Sequence, residues 1–262
     1  MKKHGPVARI ILSPLYPACL LALFVAWFAI WAIRPPHPGD FLLEHALTVI
    51  FLALMVWLHR RFRLSGVSYT LIFLFLSLHV VGAHYTYAEV PYEKWFASAA
   101  SWFGVHGFSF QAMCGFTRNH YDRLVHFSFG FLMAYPVREV FIRIARVRGF
   151  WGYYLPLDVM MSFSMLYELI EWAVAVIIAG DVGQSYLGTQ GDEWDAHKDM
   201  ALASLGGLMA MLITAAINWR LQRDFALELA ESLKVHDPSP LGEVRIEEMT
   251  SEGREATEGE DG

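Results

Sequence analysis

Two glutamates, Glu168 and Glu171, stand inside a hydrophobic run that extends over 151–179. Their i,i+3 spacing places both on one face of a helix, and Ser164 and Ala175 continue the same stripe. They precede Gly180 by roughly 18 and 14 Å of helix at 1.5 Å per residue. A charged group at that depth costs at least ~2.5–3.5 kcal/mol, so it faces a partner or a water-filled cavity. The plainer alternative is a protonated pair hydrogen-bonded within a helix bundle.

Asp192, Asp195 and Asp199 follow the turn Gly188-Thr189-Gln190-Gly191 and recur at i, i+3 and i+7. That spacing aligns three carboxylates on one helix face. One aspartate is explained as a helix cap. Three together repel one another, and a cation, a basic partner or bound protons must relieve them. Lys198 sits on another side of the helix and answers only part of that charge. Asp122 and His126 form an i,i+4 pair opening another hydrophobic run, with Gly130, Met133 and Val137 next on that face. An acid complementing the helix dipole beside an interfacial histidine explains this pair equally well. Glu44, His45, His79 and His84 also lie near helix ends, where a lone histidine is more often a hydrogen-bonded core residue than a ligand.

Carboxylates and imidazoles without paired cysteines form an oxygen-and-nitrogen donor set. Such a set suits a divalent metal: zinc, manganese, iron or magnesium. Cys19 and Cys114 are far apart in sequence, with neither metal nor redox spacing. A bound ion would activate water or polarise a phosphoryl or carbonyl oxygen. The expected ligands are Asp122, Glu171, Asp192, Asp195, Asp199 and His84. His126 is expected as ligand or base and Glu168 as a buried proton acceptor, which makes these two the candidate catalytic residues. Glu168-x-x-Glu171 is not the Glu-x-x-His of di-iron bundles, and no His-Glu-x-x-His, P-loop, nucleophile elbow or dinucleotide fingerprint occurs. The signal is a constellation, and it needs a fold that gathers its parts.

Membrane helices are the elements that must gather them. Of 262 residues, 55% are apolar and 18% charged, with a mean hydropathy of +0.36, against ~45–50% and ~25% in soluble domains. This balance excludes a disordered chain and argues against an ordinary soluble enzyme. Six runs, 15–33, 41–58, 67–83, 122–144, 151–179 and 200–219, approach the ~20 residues that cross a bilayer. The first is too long for a signal peptide and ends in Arg34-Pro35-Pro36 without a small-residue cleavage site. Asp40 is expected to cap the second run and Pro136 to bend the fourth.

Basic residues cluster at alternate ends of these runs: Lys2, Lys3 and Arg9, then Arg60, Arg61 and Arg63, then Arg138, Arg143, Arg146 and Arg148, then Arg220 and Arg223. Positive charge marks the cytoplasmic side. The chain therefore reads as all-α, a polytopic membrane bundle with six transmembrane helices, N-in and C-in. Residues 1–14 form a cytoplasmic N-terminus, 15–219 the membrane domain and 220–262 a cytoplasmic tail. The acids and histidines above then share the opposite, extracytoplasmic face. The aromatic loop 84–121 is expected on that face, with an interfacial helix over 92–103. From Asp224 onward the chain has 12 acidic and 3 basic residues, which accounts for the net charge of −6. This tail has no apolar face after Asp237 and is expected to be disordered. No basic stripe suits a nucleic acid, so no nucleic-acid partner is expected; the lipid bilayer is.

Four strings carry a family resemblance: His84-Tyr85-Thr86-Tyr87-Ala88-Glu89-Val90-Pro91, Arg118-Asn119-His120-Tyr121-Asp122-Arg123-Leu124, Glu168-Leu169-Ile170-Glu171-Trp172, and 187–195 continuing to Asp199-Met200. In this order they resemble the YjdF-type bacterial inner-membrane proteins, over roughly residues 15–220. The resemblance implies a multi-pass protein of the bacterial inner membrane, and it brings no established activity, substrate or cofactor. A looser likeness to VanZ-type proteins rests on Asp-x-x-x-His at Asp122–His126 and on acids before a later span. Three functions fit these residues. The first is a divalent-metal-dependent enzyme acting on a lipid or lipid-linked substrate from the extracytoplasmic side. The second is a proton- or cation-coupled transporter using Glu168 and Glu171. The third is a non-catalytic membrane scaffold or resistance factor that recruits partners through the acidic tail.

Overall fold

The computed structural model describes residues 10–178 and 189–235. The expected end of the fifth run at Ala179, the turn residue Gly188 and the tail from 236 onward lie outside the described residues. Every regular element among the described residues is helical: α1 (Tyr16–Trp31), α2 (Pro38–Arg61), α3 (Gly66–His84), α4 (Tyr92–Trp102), α5 (Phe110–Cys114), α6 (Tyr121–Arg143), α7 (Trp151–Ile178), α8 (Asp195–Leu221) and α9 (Phe225–Glu231). Four of them, α2, α3, α7 and α8, are long and apolar enough to cross a membrane. Helix α1, at 16 residues, spans only about 24 Å. Helix α6 has the length, but it carries Asp122, Arg123, Arg138 and Glu139.

The polarity of α6 is explained by its position. It packs against α3, α7 and α8, so its ionisable residues face protein instead of hydrocarbon. Leu42, Ile50, Trp57, Phe163, Trp172 and Leu212 are exposed on the surrounding helices, whereas Val80, Ala134, Met160 and Ala203 are buried between them. Large apolar side chains outside and small or flexible ones inside are what a lipid-facing bundle requires. The helix continues through Pro136, which is buried within it.

Helices α6 and α8 make the closest crossing. A Cβ on Gly130 would overlap the Ala203 carbonyl oxygen, and one on Gly206 would overlap that of Phe127. Small residues here let the two backbones touch, the arrangement that drives helix association in lipid. The far end of α6 is tied to α3 through Glu139. Its carboxylate accepts from the Ser65 amide at 2.8 and 3.0 Å, from the Ser68 hydroxyl at 2.5 Å and from Arg143 at 2.5 Å.

Two local expectations change and one holds. Helix α2 begins at Pro38, with His37 at the cap position, so Asp40 lies in the first turn and does not cap. Proline is suited to that first position because no N–H is needed there. The segment expected to be an interfacial helix is helical over Tyr92–Trp102, and its Trp102 is 91% exposed. The start of the tail is ordered: α9 packs back on the turn before α7. There the Glu228 carboxylate accepts from the Gly149 amide at 3.2 Å, and the Trp151 indole donates to the Ser232 carbonyl at 2.8 Å.

Replacing Gly130 with leucine should force α6 and α8 apart. The thermal midpoint in detergent is expected to fall by at least several degrees. Gly39→Ala, where an added Cβ meets nothing within 4 Å, should leave that midpoint nearly unchanged.

Candidate functional site

The first two turns of α6 and of α8 converge just before their crossing. Asp122 and His126 project from α6 and Asp199 from α8. One donor atom from each lies within 4.8 Å of the other two. The His126 Nε2 atom is 3.5 Å from Asp122 Oδ1 and 3.6 Å from Glu168 Oε1 on α7. The Glu168 side chain is 11% exposed, and Asp199 as a residue 2%. Glu168 Oε1 and Asp199 Oδ1 are buried and have no hydrogen-bond partner among the described residues. A buried carboxylate oxygen left without a donor is costly, so this centre has unfilled acceptor capacity. Three carboxylates face a single imidazole.

A second set of polar groups adjoins it. Glu44 on α2 and Glu171 on α7 interact electrostatically with each other and with Asp122. Tyr167 donates its hydroxyl to Glu44 Oε2 at 2.9 Å, and Tyr87 does so at 3.4 Å. The Tyr87 oxygen is 2.6 Å from His79 Nδ1, and the Thr48 hydroxyl is 2.8 Å from His79 Nε2. With a neutral imidazole protonated at Nδ1, donors and acceptors run in one direction: Thr48 to His79, His79 to Tyr87, Tyr87 to Glu44. His45 Nδ1 instead pairs with the Phe41 carbonyl of its own helix at 2.7 Å.

Sequence reasoning gave Glu44 and His79 little weight and missed Thr48, Tyr87 and Tyr167. A signal was present for two of these. Glu44 with Thr48, and Tyr167 with Glu171, are i,i+4 polar pairs within hydrophobic runs. Tyr87 arrives from a loop, where spacing says nothing about direction.

An ionic latch ties the start of α6 and the residues before it to the start of α8 and the turn before it. Arg118 donates to the Thr189 carbonyl and to Asp195. Arg123 donates to Asp192 at 2.5 Å and to Asp195 at 3.4 Å. Asn119 and Gln190 exchange two hydrogen bonds of 3.2 Å. Helix α8 begins at Asp195, so Asp192 lies in the preceding turn. The three aspartates therefore do not share one helix face as their spacing predicts. Lys198 also behaves differently from the expectation, reaching back to both Asp192 oxygens at 2.6 and 2.9 Å. The Lys198 ammonium, the Trp194 amide and Arg123 hold the Asp192 carboxyl down to about 2. Because that value lies below the usual 3.8, the pairing is intact through the neutral range and is lost as pH falls through about 2. Burial, then Arg123 and Arg118, lower the pKa of His120 beside the latch.

The structure thus brings Asp122, His126, Glu168 and Asp199 together and sets Glu171 beside them. Asp192 and Asp195 go to the latch, where cations already pair with both Asp192 oxygens and with Asp195 Oδ1. His84 is elsewhere: its Nδ1 pairs with the Trp31 carbonyl at 2.6 Å, and its ring packs edge-on against Trp31. It fastens α3 to the end of α1 and does not reach the cluster. The site expected from spacing did not include Arg118 and Arg123; their signal is the unbalanced charge of the aspartates they neutralise.

A family model described as predicted membrane protein (DUF2238) matches residues 16–220. The inner membrane protein YjdF of Escherichia coli (strain K12) is 37% identical over 187 residues, covering 71% of this chain and 82% of that protein. No solved structure matches the chain.

Arg118 and Asp195 have side chains only 12% and 5% exposed. Removing one member of such a pair strands the other, a loss of about 3–5 kcal/mol. Arg118→Gln and Asp195→Asn should each lower the thermal midpoint in detergent clearly. The double variant should lie well above the sum of the two losses, the coupling that a double-mutant cycle reads.

Proposed function

The chain belongs to the DUF2238 family of membrane proteins, and from its buried carboxylate–imidazole cluster we propose that it is a divalent-metal-dependent enzyme acting on a lipid or lipid-linked substrate at the extracytoplasmic end of its bundle. It is a multi-pass protein of the bacterial inner membrane. In this reading α1, α2, α3, α6, α7 and α8 supply six crossings with both termini in the cytoplasm. The support is the repeated return of arginines to one end, at 60–63, 138–148 and 220–223. The cluster of Asp122, His126, Glu168 and Asp199 then opens at the other end, away from the cytoplasmic segment 1–14 and the tail 220–262.

The observation that carries the proposal is the pair of buried carboxylate oxygens without donors, beside three donor atoms that lie within 4.8 Å of one another. Nitrogen and oxygen ligands stand ~2.0–2.2 Å from a zinc ion, hence about 3.3–3.6 Å apart in a tetrahedral site. Asp122, His126 and Asp199, within 4.8 Å of one another, would close by up to about 1.3 Å to hold such an ion. The set contains no thiolate and suits zinc, manganese, iron or magnesium. When bound, the ion would supply Lewis-acid chemistry to a phosphoryl or carbonyl oxygen, or a more acidic water. Glu168 is the proton acceptor, with one buried oxygen 3.6 Å from the imidazole. Glu171 adds negative charge beside the ligands, and Asp192 and Asp195 hold the starts of α6 and α8 together through Arg118 and Arg123.

A proton- or cation-coupled transporter is the second reading. It is favoured by the chain from Glu44 through Tyr87 and His79 to Thr48, which extends polar groups ten residues into α2 from Pro38, about 15 Å. Intramembrane ionisable groups of this kind mark proton pathways.

Elemental analysis of the purified full-length protein should find about one divalent ion per chain. Asp199→Asn and His126→Gln should abolish it, and Asp192→Asn should retain it. Wild-type protein without stoichiometric metal, together with uptake in proteoliposomes that needs a pH gradient and Glu44, would replace the enzyme reading with the transporter.

A further inference from the structure

At the arginine-rich end of the bundle a narrow groove of about 240 Å³ lies between α1 and α2, with α3 as its floor. Leu21, Leu52 and Val56 form its walls, and Phe24, Ile72 and Leu76 lie deepest, at 3–6% exposure. The lining runs from Leu52 to Arg60 on α2 and from Tyr69 to Leu76 on α3, roughly 11 Å along the helix axes at 1.5 Å per residue. The groove is therefore long, thin and apolar. It is too small for a compact ligand of the usual ~300–1,000 Å³, and its walls offer water almost no partners.

One end is polar and cationic. His59, Arg60 and Tyr69 line it. His59 and Tyr69 pair with each other at 2.6 Å. Arg61 lies over the Trp57 ring at 5.6 Å, and Arg63 donates to the Ser13 carbonyl at 2.7 Å. Glu139, the acid felt by Tyr69 there, is committed to Arg143, Ser65 and Ser68. Arg60 makes no hydrogen bond or ion pair with any described residue. A guanidinium without a partner among the described residues thus stands at the mouth of a hydrocarbon-lined slot, beside further arginines.

We propose that this groove is a lipid site: it holds one acyl chain of an anionic phospholipid of the surrounding bilayer, with the lipid phosphate on Arg60. In a bilayer the chain gains little from leaving other chains, so the apolar walls select shape and the arginine selects the headgroup. Basic pockets between transmembrane helices recognise acidic lipids in this way. The site uses none of the residues of the metal reading and is independent of it.

Native mass spectrometry of the full-length protein, titrated with phosphatidylglycerol or phosphatidylcholine of identical chains, tests the proposal. Wild-type protein should retain phosphatidylglycerol about fivefold better, the fold equivalent of the ~1 kcal/mol a membrane-proximal basic residue contributes. Arg60→Gln should bring that ratio close to one. Ala18→Trp, which places an indole in the groove from an exposed position, should reduce retention of both lipids. If that variant fails to fold, Leu21→Phe is used in its place. Equal retention of the two lipids by wild-type protein would overturn the proposal. So would a phosphatidylglycerol preference that survives both substitutions.

Discussion

Carboxylates cannot remain charged and alone in hydrocarbon, and the interior of this bundle is organised around that cost. Asp122, Glu168, Asp199, Glu44 and Glu171 are contributed by four helices to one contiguous polar region. Among the described residues, the His126 imidazole is the one nitrogen ligand set among them at the centre. Each acid would be expensive on a lipid-facing surface. Together they create a strong demand for a cation or for protons, and that demand underlies both functional readings.

The helix that carries the demand is held at both ends. At its start, Arg118 and Arg123 grip the turn before α8, and the Tyr121 hydroxyl donates to the Leu78 carbonyl of α3 at 3.0 Å. At its finish, Glu139 binds the beginning of α3, and Arg138 lies over the Tyr153 ring of α7 at 4.5 Å. Between these fastenings the glycine crossing with α8 fixes the separation of Asp122 and His126 from Asp199. Rigidity in the surrounding helices keeps the donor atoms close despite their mutual repulsion.

Much of this arrangement can be read from spacing. The hydrophobic runs, the i,i+4 step from Asp122 to His126 and the depth of Glu168 all follow from helical period and hydropathy. Spacing fails where a helix boundary decides the outcome. Asp192 fits the i, i+3, i+7 pattern, but α8 starts three residues later, and the same shift lets Lys198 fold back onto it. His84 fails for another reason: the end of α1 lies beside it and offers an unpaired carbonyl, which no local pattern records. Tyr87, at the junction of two polar sets, has a left-handed backbone with φ of 53° in a loop, a conformation that periodicity does not foresee. Helix α6 shows the limit of hydropathy itself, since a helix wrapped by others is free to be polar.

The central claim is that α6 and α8 present their polar side chains to one shared space. The most direct measurement is cross-linking in native membranes by a short bis-methanethiosulfonate reagent, in protein whose Cys19 and Cys114 are changed to serine. Cysteines at positions 122 and 199 should join rapidly within one chain, whereas cysteines at 84 and 199 should not. Failure of the first pair to join, or equal joining by the second, would contradict the account.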